Sequence, residues 1–248
     1  MRKILLLLVC LTLGPSVLQA DPGRDRIQAA IDYLRDRASY LEARMIVHRP
    51  AWEREYGLRS WTRGNKESLV RFTAPPRDAG NASLTMGDEM WSFSPKINRV
   101  IKIPPSMMQQ SWMGSDFSYD DLSRGDDILD RYTHRIIGQS MHEGHEVQLI
   151  EALPREDAPV VWGKEIVQVR SDNIFIRHEF YDQSMQLAKV LSAQDIKPIG
   201  GKLYATRVRM EDLTAPGEWT EVTYQAAKFG LELSDTVFSL SNLQNPRD

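Results

Sequence analysis

From about Tyr40 the apolar residues of this chain fall at every second position. Leu41, Ala43, Met45 and Val47 alternate with Glu42, Arg44 and His48. Successive side chains of an extended strand point to opposite faces, so this spacing specifies a strand with one apolar and one wetter face. Trp52 to Trp61 continues in the same mixed style, and further strand candidates follow at Ser68 to Thr73, Glu89 to Phe93, Arg99 to Ile103, Arg131 to Ile137 and Glu146 to Glu151. The second half repeats the texture in longer pieces: Lys164 to Arg170, Ile174 to Asp182, Gln186 to Asp195, Lys202 to Met210 and Trp219 to Ala227. Ala74-Pro75-Pro76, Met86-Gly87-Asp88, Ser94-Pro95-Lys96, Gly138, Gly144 and Pro216-Gly217 supply the turn chemistry between them. Roughly ten or eleven closely spaced strands, with no Gly-rich phosphate loop among them, specify a mainly β chain built as a strongly curved antiparallel sheet or barrel.

Two segments depart from the period of two. Asp21 and Pro22 have the chemistry of a helix start, with aspartate as cap and proline in the first turn. Ile27, Ala30, Ile31 and Leu34 follow at helical spacing, opposite Arg24, Asp25, Asp32, Arg35 and Asp36, which predicts one amphipathic helix lying on something apolar. The second segment, 104–127, is too long for a structureless hairpin connection and predicts a functional cover with short helical turns.

Residues 1–20 have the tripartite pattern of a secretory signal: Arg2 and Lys3, an apolar run from Ile4 to Leu13, then Pro15 and Ala20. The run is shorter than the roughly 20 residues that span a bilayer. Cleavage after Ala20 leaves 21–248 as one domain with no transmembrane segment and removes Cys10, the sole cysteine, with every prospect of a disulfide or thiolate site. It also removes Arg2 and Lys3, so that 29 basic residues face 34 acidic ones and the net charge moves from −3 to about −5. An acidic chain without a basic run lacks the electrostatic footprint of a nucleic-acid partner.

Catalytic and metal chemistry find little support. His142 and His145 in the run HEGHE stand three apart with Gly144 between them, the wrong spacing for a helical zinc motif, and suit a hairpin turn. Asp116, Asp120 and Asp121 form a carboxylate cluster, but no accompanying histidine, lysine or nucleophile signature lies nearby, and turn capping accounts for them. We expect no catalytic set, no metal and no cofactor. Asn81-Ala82-Ser83 is a glycosylation tripeptide that matters only in a eukaryotic secretory route. Trp91, Phe93, Met107, Met108, Trp112, Met113, Phe117 and Tyr119 form a dense methionine and aromatic group where strands meet the long connection. Methionine adapts to irregular apolar partners and aromatic rings bring large contact areas, so the group suits either a pocket for variable acyl chains or an ordinary packed core.

The stretch MWSFSPKINRVIKI followed by SWMGSDFSYDDL resembles the LolA-like outer-membrane lipoprotein-sorting proteins, in which a W-x-Y-x-P strand and a basic R-V-R-R-I-like strand lead to F-M-G-S-D-F-x-Y-E-D-L. The match runs through Trp91, Pro95, Arg99, Val100, Ile103, Met113, Gly114, Ser115, Asp116, Phe117, Tyr119, Asp121 and Leu122. Trp112 replaces the usual phenylalanine, and Ile101-Lys102 replaces part of the basic strand. The resemblance implies an incomplete, strongly bent antiparallel β-barrel covered by the amino-terminal helix and a helical lid. It implies no enzymatic reaction but carriage of lipid or lipoprotein acyl chains across a bacterial periplasm, beside an inner-membrane exporter of the RND or ABC type. On that basis Trp91, Phe93, Met107, Met108, Trp112, Met113, Phe117 and Tyr119 are expected to meet lipid, while Gly114, Ser115, Asp116 and Asp121 shape the lid. Asp116 is expected to bond nearby backbone amides, and Trp112 and Phe117 to face the cavity. An adaptor that docks on an exporter without carrying cargo, and an enzyme using Asp116 and Asp121, are the competing readings.

Overall fold

The computed structural model describes residues 21–123 and 125–246, so the expected signal at 1–20 lies outside the described part. Helix α1, Pro22–Arg35, starts as its sequence demands: the Asp21 side chain accepts from the Arg24 amide at 2.9 Å, with proline in the first turn. Ile27, Ala30 and Ile31 are buried, but Leu34 at the far end of the same stripe is 36 % exposed.

Thirteen strands follow: β1 Ala38–Arg49, β2 Trp52–Arg63, β3 Glu67–Ala74, β4 Ala82–Met86, β5 Glu89–Ser94, β6 Arg99–Lys102, β7 Tyr132–His142, β8 His145–Pro154, β9 Lys164–Arg170, β10 Phe175–Tyr181, β11 Leu187–Ile199, β12 Lys202–Asp212 and β13 Glu218–Phe229. They form one antiparallel, strongly curved sheet in the order β6-β5-β4-β3-β2-β1-β13-β12-β11-β10-β9-β8-β7, which does not close into a barrel. The count exceeds the ten or eleven expected, although twelve of the thirteen coincide with candidate segments in the sequence. The strand missing from the sequence reading is β4, because four consecutive residues of Ala82-Ser83-Leu84-Thr85-Met86 are buried and the pattern of alternation disappears. The HEGHE run is the β7–β8 hairpin, with Glu143 and Gly144 both at positive φ between His142 and His145.

The topology fixes what the long connection must do. Strands β6 and β7 are consecutive in sequence yet occupy opposite edges of the sheet, so residues 103–131 must cross the sheet from one edge to the other. The described residues of this strap form a 3-10 turn at Pro105–Met107 and two short helices, α2 Tyr119–Ser123 and α3 Asp127–Arg131.

Alternation along β3 shows how the two faces are covered. Val70 and Phe72 pack with Trp112 of the strap on the inner face, together with Ala43, Met45, Val47, Tyr56 and Leu58. Leu69 points the other way, where Phe238 and Leu243 of the carboxy-terminal segment seal the outer face against Leu84 and Phe93. At the other half of the sheet α1 lies on β7 and β9, packing Ile27, Ala30 and Ile31 against Ile150, Val167, Val169 and the Ile128-Leu129 pair of α3. Here helix and sheet approach closely: a Cβ on Gly23 would stand 2.9 Å from the His134 Cβ and 3.2 Å from the Ile150 Cγ2, so this position of α1 requires glycine.

Candidate functional site

Between α1, the later part of the strap and the inner face of β9 to β13 lies a cavity of about 560 Å³, within the size range of small-molecule sites. Ile27, Ile31 and Leu34 of α1 form one wall, and Ile174, Ile176, Leu191, Ala193, Val208 and Val222 form the floor. Leu34 therefore keeps its apolar side chain partly exposed because it lies at the cavity rather than in the core. Met108, Phe117 and Ile128 of the strap close one side, and Pro159, Val160, Val161 and Trp162, from the connection between β8 and β9, close another. Trp162 packs on Phe180 with ring centroids 5.4 Å apart. The walls are dominated by branched aliphatic and aromatic groups, which bind flexible apolar chains by area and shape rather than by directed bonds.

The middle of the strap is fixed by polar contacts from three strands. Arg49, at the inward-facing end of β1, donates from Nη1 to the Asp116 carboxylate at 3.0 Å and from Nη2 to the Gly114 carbonyl at 2.9 Å. Thr220 of β13 donates its hydroxyl to the same carboxylate at 2.6 Å and accepts the Asp116 amide at 2.9 Å. Lys189 of β11 donates to the Asp116 carbonyl at 2.9 Å. The Asp116 side chain is 3 % exposed and that of Arg49 13 %, so water competes little for this pair, and Glu218 adds a second carboxylate 2.9 Å from the Arg49 Nε. Asp116 thus fastens the strap through side chains of distant strands, not through the nearby backbone amides expected from sequence.

The other strap residues divide by function. Gly114 adopts φ of 76°, accessible to glycine at little cost. The Ser115 hydroxyl donates to the Trp112 carbonyl at 2.6 Å. Asp121 accepts the Ser118 amide at 2.8 Å while the Ser118 hydroxyl accepts the Asp121 amide at 3.1 Å, a reciprocal cap that starts α2. Both carboxylates proposed as an acid and base pair are therefore engaged in holding the strap.

Of the eight side chains expected to meet lipid, Met108 and Phe117 line the cavity. Trp112 is 3 % exposed, packs on Phe72 with centroids 5.1 Å apart and donates its indole N–H to the Ser83 hydroxyl at 3.0 Å. It anchors the strap to the sheet, with Met113 packed against the same cluster, and it is not among the cavity-lining side chains. Met107 and Tyr119 pack around Met90, Ile103 and Met108. Trp91 and Phe93 point to the outer face with Phe238 and Leu243, away from the strap. The decisive difference is strand parity: Met90 faces the strap and its neighbour Trp91 faces away.

Several lining residues escaped the sequence reading. Trp162 belongs to the apolar run Pro159-Val160-Val161-Trp162 in a connection, an unusual composition for a loop and a usable signal. Glu165, His178, Phe180, Tyr204 and Tyr224 stand on ordinary alternating strands, and only the curvature of the sheet turns them toward one space. Burial holds the phenols of Tyr204 and Tyr224 above the ordinary tyrosine pKa, so both present neutral hydroxyls.

A family model described as "-like: Uncharacterized protein" matches residues 64–245. No curated protein matches the sequence. Among solved structures, a DUF1329 family protein from Desulfovibrio piger is 25 % identical, covering 90 % of this chain and 100 % of that chain with a TM-score of 0.79. A putative outer membrane lipoprotein-sorting protein domain from Vibrio parahaemolyticus is 21 % identical over 90 % of this chain and 98 % of that chain, with a TM-score of 0.78. A LolA superfamily protein from Nitrosomonas europaea is 21 % identical over 88 % of this chain and 97 % of that chain, with a TM-score of 0.71. The chain therefore belongs to the family that this model describes, and its fold is LolA-like, shared with these lipoprotein-sorting and LolA superfamily structures over nearly their whole lengths.

Proposed function

We propose that this protein is a periplasmic carrier that takes the acyl chains of a lipid or lipoprotein into its cavity and moves them toward the outer membrane, in company with an inner-membrane exporter of the RND or ABC type. The observation that carries this reading is the apolar cavity of about 560 Å³ between α1 and the strap. Each methylene moved from water into it gains about 0.8 kcal/mol, so a single acyl chain supplies several kcal/mol without any specific bond. The lipoprotein-sorting likeness, the amino-terminal signal pattern and the absence, among the described residues, of a helix able to cross a membrane all suit such a route.

The strap is the moving part in this scheme. Its middle is fixed by Trp112 and Asp116, whereas the portion from Phe117 through α2 and α3 overlies the cavity. Entry of cargo therefore displaces α2, α3 and the Pro159 to Trp162 connection while the anchor stays seated. Protein purified without detergent, extracted with organic solvent and examined by mass spectrometry, is expected to yield reproducible co-purified lipid. A clean extract from folded protein that also takes up no lipid from vesicles refutes the carrier and favours a non-carrying adaptor.

A further inference from the structure

One part of the cavity lining forms a polar pole. Glu165 of β9 and His178 of β10 turn inward beside the apolar floor, with His178 Nε2 2.5 Å from Glu165 Oε2 and side-chain exposures of 20 % and 7 %. The His178 ring stacks on Phe180 with centroids 4.1 Å apart, and Phe180 packs on Trp162, so aromatic rings flank the pair. Tyr132 lines the same part of the cavity and completes the group, close enough for the Glu165 charge to act on its phenol. Burial, with the charges of Glu165, Asp120 and Asp127, holds the Tyr132 phenol well above its ordinary pKa, so it stays a neutral hydroxyl.

A buried ionisable pair of this kind contributes little to stability, since an apolar replacement of similar shape serves a core as well or better. Its place in the lining of a largely apolar cavity calls for a role in recognition. The sign of the local field follows from its neighbours. Glu165, Asp120 and Asp127 all act on Tyr132. Arg131 pairs with Asp127 at 2.7 Å. Arg35, a cation in the cavity lining, directs its guanidinium to the Gly64 and Asn65 carbonyls at 3.5 and 3.2 Å. Arg131 thus offsets Asp127, and Arg177, the other guanidinium of the lining, pairs with Glu179 at 2.7 Å, so that the Glu165 carboxylate is left as a hydrogen-bond acceptor that disfavours a carboxylate or phosphate and attracts a donor.

We propose that the Glu165–His178–Tyr132 group seats the polar end of the cargo, and that it selects an amphiphile whose head is a hydrogen-bond donor without negative charge, a hydroxyl or an ammonium. This inference rests on the carrier reading, because it assigns the head group of a ligand whose chain fills the cavity. The pole works by discrimination: a head group that leaves Glu165 facing a like charge in an apolar site loses affinity, while one that donates to it keeps its desolvated hydrogen bonds satisfied.

The test is a calorimetric titration of the lipid-stripped protein at pH 7 with dodecylamine, dodecanol and dodecanoic acid, below their aggregation limits. The amine and the alcohol are expected to bind at least about tenfold more tightly than the acid, a ratio that corresponds to about 1.4 kcal/mol. Folded Glu165→Gln protein is expected to lose the preference for the amine over the acid. Should that variant fail to fold, His178→Gln and the ranking by the unaltered protein decide the matter. Equal binding of all three ligands, or tightest binding of the acid, overturns the polar pole and leaves the carrier reading intact. A folded Glu165→Gln protein that keeps the original ranking overturns the assignment to Glu165. Binding of none of the three overturns both readings.

Discussion

Replacing Trp112 by alanine tests whether this residue anchors the strap or meets the cargo. In the folded protein the indole is 3 % exposed, packs on Phe72 at 5.1 Å and donates to the Ser83 hydroxyl at 3.0 Å. Truncating a buried tryptophan to alanine costs about 3–5 kcal/mol in transfer and cavity terms. The lost hydrogen bond lies within that figure and is worth about 1 kcal/mol by itself. Trp112→Phe, which keeps a ring against Phe72 and removes only the N–H and part of the area, is expected to cost about 1–2 kcal/mol. The anchoring role also predicts where the loss is felt. The Trp112 amide bonds to the Phe117 carbonyl at 2.8 Å and the Ser115 amide to the Trp112 carbonyl at 3.0 Å, so amide exchange in 112–119 should accelerate before the strands do. Urea unfolding with site-resolved hydrogen exchange measures both, alongside binding of a dodecyl amphiphile. A Trp112→Ala protein that loses less than about 1 kcal/mol of stability but loses its ligand refutes the anchor and returns Trp112 to the cavity wall.

The Arg49–Asp116 pair predicts an asymmetry. Arg49→Ala leaves the buried Asp116 carboxylate with the Thr220 hydroxyl and is expected to cost about 3–5 kcal/mol, whereas Asp116→Ala leaves Arg49 with Glu218 and the Gly114 and His48 carbonyls and costs distinctly less; equal losses in urea unfolding would contradict this account. Acid should loosen α1. Burial pushes the Asp21 carboxyl up, but the Arg24 amide, His134 and the Gly23 amide outweigh it and hold the pKa below its ordinary 3.8. A depressed carboxyl contributes stability that is present above pH 3.8 and is lost as pH falls through the lower folded value, so Asp21→Asn should flatten the unfolding free energy between about pH 5 and pH 2; an unchanged slope argues against the cap.

Much of the architecture was legible in local patterns. Helix α1, its Asp21 cap and the alternation of β1 follow from spacing alone, because propensity, capping and a single buried face all agree there. The HEGHE hairpin was legible for the same reason. Strand β4 was not, since its residues are buried on both faces. The candidate site was legible in its location, the long connection, more than in its members. Residue type singles out Trp112 and Phe117 equally, yet one is pinned by Ser83 and the other lines the cavity.

Local pattern specifies most of the elements, the buried faces of α1 and β1 and the existence of a long segment needing a role, because these depend on neighbours within one turn or one strand. The folded sheet alone makes this segment strap it from edge to edge, brings Arg49, Lys189 and Thr220 together on Asp116, and sets Glu165, His178 and Tyr132 in one space. Those relations join residues far apart in sequence. They are set by the pairing order and curvature of thirteen strands, which no local period encodes.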